Sequence, residues 1–306
     1  MSSSASKKVI IAAFLGNSLI AVTKFIAASI TGSSAMVSEG IHSLVDTGNQ
    51  MLLLYGMRAA QRPADQHHPF GYGKEIYFWS FIVALLIFAI GAGVSIYEGV
   101  LHILHPSKME NVLINYVVLG CAIVFEGAAW VFAVREFSKS KGDAGYVDAV
   151  RRGKDPTMFA VVFEDSAALL GLLVALLGIV LGQVTGNLYF DGIASVIIGL
   201  ILGFSAVWLA YETKSLLIGE SASRSTVSSI RDALQTTPGW THVNEISTLH
   251  MGPDYVVLTI SLDFRDDLGA GDVEDIVSEL SQTVKNRHPE IKRVYIEARE
   301  KKPTTT

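Results

Sequence analysis

Apolar residues along this chain come in six long blocks, each close to the roughly 20 residues an α-helix needs to cross a hydrocarbon layer. They cover residues 9–30, 34–54, 76–101, 113–134, 158–181 and 190–210. After about Leu217 the pattern changes to that of a soluble domain. Helical periodicity is expected over 225–234 and 271–285, and strands over 242–250, 255–264 and 292–298. In the middle strand Val256, Leu258, Ile260, Leu262 and Phe264 alternate with Val257, Thr259, Ser261 and Asp263, a period of two that buries one face. Val273, Ile276, Val277, Leu280 and Val284 form a helical stripe, and Met251-Gly252-Pro253-Asp254 supplies the turn between the first two strands. The pattern predicts an α-helical membrane protein with six transmembrane helices over residues 1–216 and a small cytoplasmic α/β domain over 217–306. A domain of that size is marginal alone, so pairing with a second copy is expected.

Composition agrees with the pattern. Half of the 306 residues are hydrophobic, 17% are charged and the mean hydropathy is +0.40, too apolar for an ordinary soluble chain of this length. The single cysteine, Cys121, excludes an internal disulfide and a multi-thiolate metal site. The first block is too long for a removable signal peptide and no Arg-rich transit sequence precedes it, so the N-terminus is expected to be retained. Lys7 and Lys8 precede block one; Arg58, Arg62 and Lys74 follow block two; Arg135, Lys139, Lys141, Arg151, Arg152 and Lys154 follow block four. The 31–33 and 183–188 turns carry no Lys or Arg, and the connection from block three to four holds only Lys108. That asymmetry places both termini in the cytoplasm.

Within block two the run Glu39-Gly40-Ile41-His42-Ser43-Leu44-Val45-Asp46 interrupts the apolar pattern. Spacings of three and four put Glu39, His42 and Asp46 on one helical face. Block five adds Glu164 and Asp165. Carboxylates inside a bilayer need partners, and a divalent cation shared by His42, Asp46 and Asp165 would supply one. Imidazole with carboxylates suits Zn²⁺, and the same donors accept Mn²⁺, Fe²⁺ or Co²⁺. Adjacent helical residues diverge by about 100°, so Glu164 and Asp165 do not face one centre together. The residue one turn before Asp165 is Val161, which leaves the fourth ligand open among Glu164, Asn49 and water. Glu39 is read as a cation attractor near the non-cytoplasmic entrance or an interfacial residue. Lys24, Asn17, Glu98, Glu126 and Asp191 either line an ion path or form packing ion pairs.

Gly32-Ser33-Ser34-Ala35-Met36, His42-Ser43-Leu44-Val45-Asp46 and His68-Pro69-Phe70-Gly71-Tyr72-Gly73-Lys74 resemble the cation diffusion facilitator family of metal/proton antiporters. Lys154-Asp155-Pro156-Thr157 leading to Phe163-Glu164-Asp165-Ser166-Ala167-Ala168 resembles its mitochondrial-type zinc-transporting branch and the bacterial relatives of that branch. The resemblance implies a homodimer with a metallochaperone-like, ferredoxin-like C-terminal domain, exporting divalent metal in exchange for protons by alternating access. By position it makes His42, Asp46 and Asp165 metal ligands, with Val161 where relatives carry a fourth. Asp65 and His68 match loop positions that commonly bind metal, but Tyr72 stands where many relatives have a second histidine. Asn244, Ile260, Glu297 and Arg299 replace the ligands of a C-terminal zinc pair, so dimerisation is expected to rest on packing.

The reading that follows is a Zn²⁺ efflux transporter, with a metal sensor or scaffold that does not translocate, or a carrier selective for Mn²⁺, Fe²⁺ or Co²⁺, as alternatives. Metal and protons are substrates, the bilayer and a second copy are partners, and neither an organic cofactor nor nucleic acid is expected. No phosphate loop, nucleophile elbow or His-Glu-x-x-His motif supports an enzyme. A bacterial plasma membrane is the expected location.

Overall fold

The computed structural model describes residues 3–106, 111–141, 156–236 and 238–301. Lys108, Arg151, Arg152, Lys154 and Asp155 of the charge and motif readings lie outside them. Six long helices come first: α1 (Ser3–Thr31), α2 (Ser34–Ala60), α3 (Glu75–Leu104), α4 (Val112–Lys141), α5 (Pro156–Thr185) and α6 (Tyr189–Ile218). Then follow α7 (Arg224–Thr236), β1 (Trp240–Gly252), β2 (Tyr255–Phe264), α8 (Ala270–Arg287) and β3 (Ile291–Ala298). The chain divides into two compact units, residues 1–59 with 75–214, and residues 60–74 with 215–306.

Among the described residues five helices, α1 and α3 to α6, are long and apolar enough to cross a membrane, where the sequence pattern predicts six. The exception is α2. Its 27 residues reach about 40 Å, ample for a bilayer, but Glu39, His42, Asp46, Asn49 and Gln50 make it too polar to qualify by composition. All five are buried inside the helical unit, so α2 has a polar interior stripe and is no surface helix.

Small residues set how closely the other helices approach, as in membrane bundles generally. A Cβ added to Gly99 of α3 would come within 2.7 Å of the Gly192 carbonyl on α6, and one on Gly56 of α2 within 2.8 Å of Trp79 Cβ on α3. The middle of α3, Ile87–Ala92, is wound as a π-helix. The turn between α1 and α2 is only two residues long and needs Gly32 in the left-handed region, at φ 66°.

The second unit has the order α7-β1-β2-α8-β3. Its sheet runs β1-β2-β3, with β1 and β2 antiparallel and β2 and β3 parallel, and α8 is the crossover that a parallel pair requires. Val256, Leu258, Ile260 and Leu262 of the predicted inner face of β2 enter a core with Ile230, Leu234, Leu280, Val284 and Ile291, while Val257 and Ser261 of the other face are buried as well. Three strands are described, where a full ferredoxin-like sheet has four. The 60–74 loop belongs to this unit. Gly73 lies against Met251 and Gly252 of β1 so closely that any Cβ would collide with the Met251 carbonyl, and Lys74 Nζ donates to the Leu217 carbonyl at 3.4 Å.

Candidate metal centre

The polar stripe of α2 meets α5 at His42, Asp46, Asn49 and Glu164, each at most 5% exposed. One turn of helix separates His42 from Asp46, and His42 Nε2 stands 3.2 Å from Asp46 Oδ2. Asn49 Nδ2 donates to Glu164 Oε1 at 2.7 Å, and the Asp46 and Glu164 carboxyls are hydrogen-bond neighbours. Two carboxyls in contact out of water need a cation between them, either a proton or a metal. Several atoms of the cluster have no partner: His42 Nδ1, Asp46 Oδ1 and Asn49 Oδ1 are buried and make no hydrogen bond. Such orphaned groups cost about 1–3 kcal/mol each, and here they are donors of the types that ligate divalent metal. The donors are turned toward one another, so among the described residues no three His, Cys, Asp or Glu side chains converge on one metal-binding point.

Of the two carboxylates on α5, Glu164 reaches α2, whereas Asp165 is only half-buried and enters none of these hydrogen bonds. The 100° step between neighbours on a helix explains the choice.

Glu39 is not at an exposed entrance. It is fully buried, and Lys24 Nζ of α1 donates to its Oε2 at 3.0 Å. The same ammonium donates to Ser43 Oγ at 2.9 Å and to Glu126 Oε1 of α4 at 2.9 Å. Lys24 and Glu126 therefore form a packing network, the second of the two readings available for them. What sequence reasoning missed was their connection to Glu39, although a lysine in an otherwise apolar span is itself a sign that carboxylates lie nearby.

In the loop, Asp65 and His68 are not assembled as a metal site. Asp65 Oδ1 accepts from the His67 and His68 amides at 2.9 and 2.7 Å, and Oδ2 accepts from Tyr72 Oη at 2.6 Å. The hydroxyl of Tyr72, with those amides, holds the Asp65 carboxyl below its usual 3.8. The His68 ring lies on Tyr72, centroids 4.2 Å apart, and its Nδ1 is 3.6 Å from Asp65 Oδ1. Tyr72 thus donates a hydrogen bond to the Asp65 oxygen that a metal would otherwise take.

At the opposite end of α2, Asp191 of α6 accepts from Ser33 Oγ and from the Ser34 amide, both at 2.6 Å. His102 Nδ1 of α3 lies 3.4 Å from its Oδ2, and Ser34 Oγ is 2.9 Å from Ser195 Oγ. A carboxylate at the first turn of α2 also meets the positive end of that helix.

Residues 10–218 match the cation efflux transmembrane domain. The chain is 34% identical over 283 residues to the proton-coupled zinc antiporter SLC30A9, mitochondrial, of Xenopus laevis, covering 90% of this chain and 51% of the relative. It is 32% identical to metal tolerance protein C4 of Arabidopsis thaliana, over 85% of this chain and 57% of that protein. With the manganese efflux system protein MneP of Bacillus subtilis the identity is 22%, over 95% of both chains. The chain thus spans about half the length of the animal and plant relatives.

Proposed function

Because this integral membrane protein belongs to the cation efflux family of metal transporters, the cation diffusion facilitators, and to its mitochondrial-type branch, we propose that it exports Zn²⁺ in exchange for protons. The observation that carries this reading is the buried group of His42, Asp46, Asn49 and Glu164 with its unpartnered ligand-type atoms. In this reading α2 is the sixth span, its polar stripe lines the ion path, and both termini are cytoplasmic. A neutral imidazole and ionised carboxylates bind metal, and their protonated forms do not, so each metal taken up displaces protons and each proton taken up displaces metal. Alternating exposure of the cluster to the two sides of the membrane converts that competition into antiport.

Zn²⁺ is favoured by the imidazole nitrogen in a small, buried donor set. Glu164 is the third ligand, beside His42 and Asp46 and in place of the one Val161 cannot provide, with Asp165 as a nearby charge and Asn49 orienting Glu164. A Mn²⁺ carrier is the second reading, favoured by the oxygen-rich remainder of the set. The protein is a homodimer held by packing between its C-terminal domains in a bacterial plasma membrane, a reading supported by the match over 95% of both chains to the Bacillus relative.

The test is proteoliposome transport under an imposed pH gradient, with Zn²⁺, Mn²⁺, Fe²⁺, Co²⁺ and Cd²⁺ compared. Zinc-coupled proton flux is expected in the wild type, none with His42→Ala or Asp46→Ala, and a loss of at least ten-fold with Glu164→Gln. Wild-type flux in either of the first two variants refutes the site; manganese-only transport replaces the first reading by the second.

A further inference from the structure

We propose that Lys24 is the positioning residue of the metal centre: a tethered cation that fixes the rotation of α2 and so presents His42, Asp46 and Asn49 to α5. This inference rests on the transport reading above and adds a residue outside the ligand set. Lys24 is 1% exposed, and all three of its ammonium protons are used, on Glu39, Ser43 and Glu126. An ammonium has three donors, so the group has no freedom left to follow a turning helix. Its contacts join α1, α2 and α4 at one point.

The geometry of α2 makes that point decisive for the ligands. At 3.6 residues per turn, Glu39 and Ser43 lie within about 40° of each other on one edge of the polar stripe, while His42 and Asn49 lie about 60° and 80° to the other side of Glu39. Holding the first edge against Lys24 holds the second against Glu164. A rotation of about 60° would turn His42 to the direction in which Glu39 now points, about 4.5 Å further along the axis. Glu39 is seated from the far side as well. Gly171 of α5 leaves space only because it has no side chain, and a Cβ there would run into Glu39 Oε1. The carboxylate is therefore gripped between Lys24 on α1 and the backbone of α5, the same helix that carries Glu164. Lys24 thus engages one oxygen of each of Glu39 and Glu126.

The experiment measures zinc transport in proteoliposomes, normalised to folded dimer, for wild type, Ser43→Ala and the triple variant Lys24→Met, Glu39→Gln, Glu126→Gln, which removes every charge of the network. Removing all the charges together avoids leaving a carboxylate unmatched, which Lys24→Met alone would do. The triple variant is expected to raise the zinc KM at least ten-fold with a much smaller change in maximal rate. Ser43→Ala, which removes one of the three ammonium contacts and alters no charge, is expected to raise KM about three-fold, and it decides the matter if the triple variant does not fold. A network that only packs helices would lower the yield of folded protein and leave KM as it was. Unchanged KM in Ser43→Ala, or in a folded triple variant, overturns the proposal, whereas failure of the wild type to transport metal would instead overturn the proposed function.

Discussion

Two buried polar clusters sit along α2, and they are built differently. At the N-terminal end, Asp191 meets the Ser33 hydroxyl, the Ser34 amide and His102, so both of its oxygens are used. Midway along the helix, His42, Asp46, Asn49 and Glu164 leave three ligand-type atoms without partners. The first arrangement has one acid among hydroxyl, imidazole and amide groups at the positive end of a helix. The second places two carboxyls together and leaves Asp46 Oδ1 without a partner, which costs stability and is worth keeping only if something binds there. At the carboxylate itself, hydrogen bonding is complete for Asp191 and incomplete for Asp46.

That contrast is broken most strongly at Asp191. Asp191→Ala strands Ser33, the Ser34 amide and His102 together, and is expected to cost about 3 kcal/mol, the range for breaking a buried charged network. Thermal unfolding in detergent should show a midpoint lowered by several degrees, while zinc KM in the surviving folded protein stays at the wild-type value. Asp46→Asn should behave in the opposite way, with transport lost and the midpoint unchanged or raised, since a carboxyl facing another carboxyl has been neutralised. If Asp191→Ala changed KM instead, the joint would have to be counted as part of the site.

Much of this was legible in the chain. The periodicity gave the inner face of β2 and the stripe of α8, because side-chain parity decides which strand residues share a face. The spacing of the polar run also matches the burial of Glu39, His42 and Asp46 on α2. What spacing does not carry is the choice between neighbouring residues on another helix: whether Glu164 or Asp165 turns toward α2 depends on the rotation of α5, which is set by packing against α4 and α3. The Lys24 network was illegible for a related reason, since its members lie 15 and 102 positions apart in sequence. Membrane charges announce that partners exist without saying which. Hydropathy likewise leaves α2 out of the apolar helices because its buried polar stripe lowers its mean.

A smaller effect sharpens the comparison from the side of α5. Gly171→Ala places a methyl group against Glu39 Oε1, and overpacking of this kind costs typically about 1–3 kcal/mol. The displaced carboxylate is held by Lys24, so the strain should pass into α2 and appear as a raised zinc KM along with a modest loss of thermal stability. The same substitution at Gly16, which has open space around it, should do neither. Equal effects at the two glycines would mean that helix propensity and not the Glu39 contact was being measured.

The smallest effect belongs to the loop, where the same ingredients as the buried centre (a carboxylate, an imidazole and local donors) stand in water. Asp65 there is satisfied by the His67 and His68 amides and by Tyr72, and its carboxyl titrates below 3.8 because those donors favour the ionised form. A folded value depressed below the unfolded one stabilises the loop above pH 3.8 and ceases to do so as pH falls through the folded value. Tyr72→Phe removes the first of these donors, so the Asp65 midpoint, followed by carboxyl carbon NMR, should move upward toward 3.8 with transport at neutral pH unchanged. The exposed carboxylate already has its partners in the backbone and gains little from metal, whereas the buried ones have no such supply. A Tyr72→Phe variant that began to bind Zn²⁺ through Asp65 and His68 would show that the hydroxyl, and not the loop backbone, is what keeps metal out.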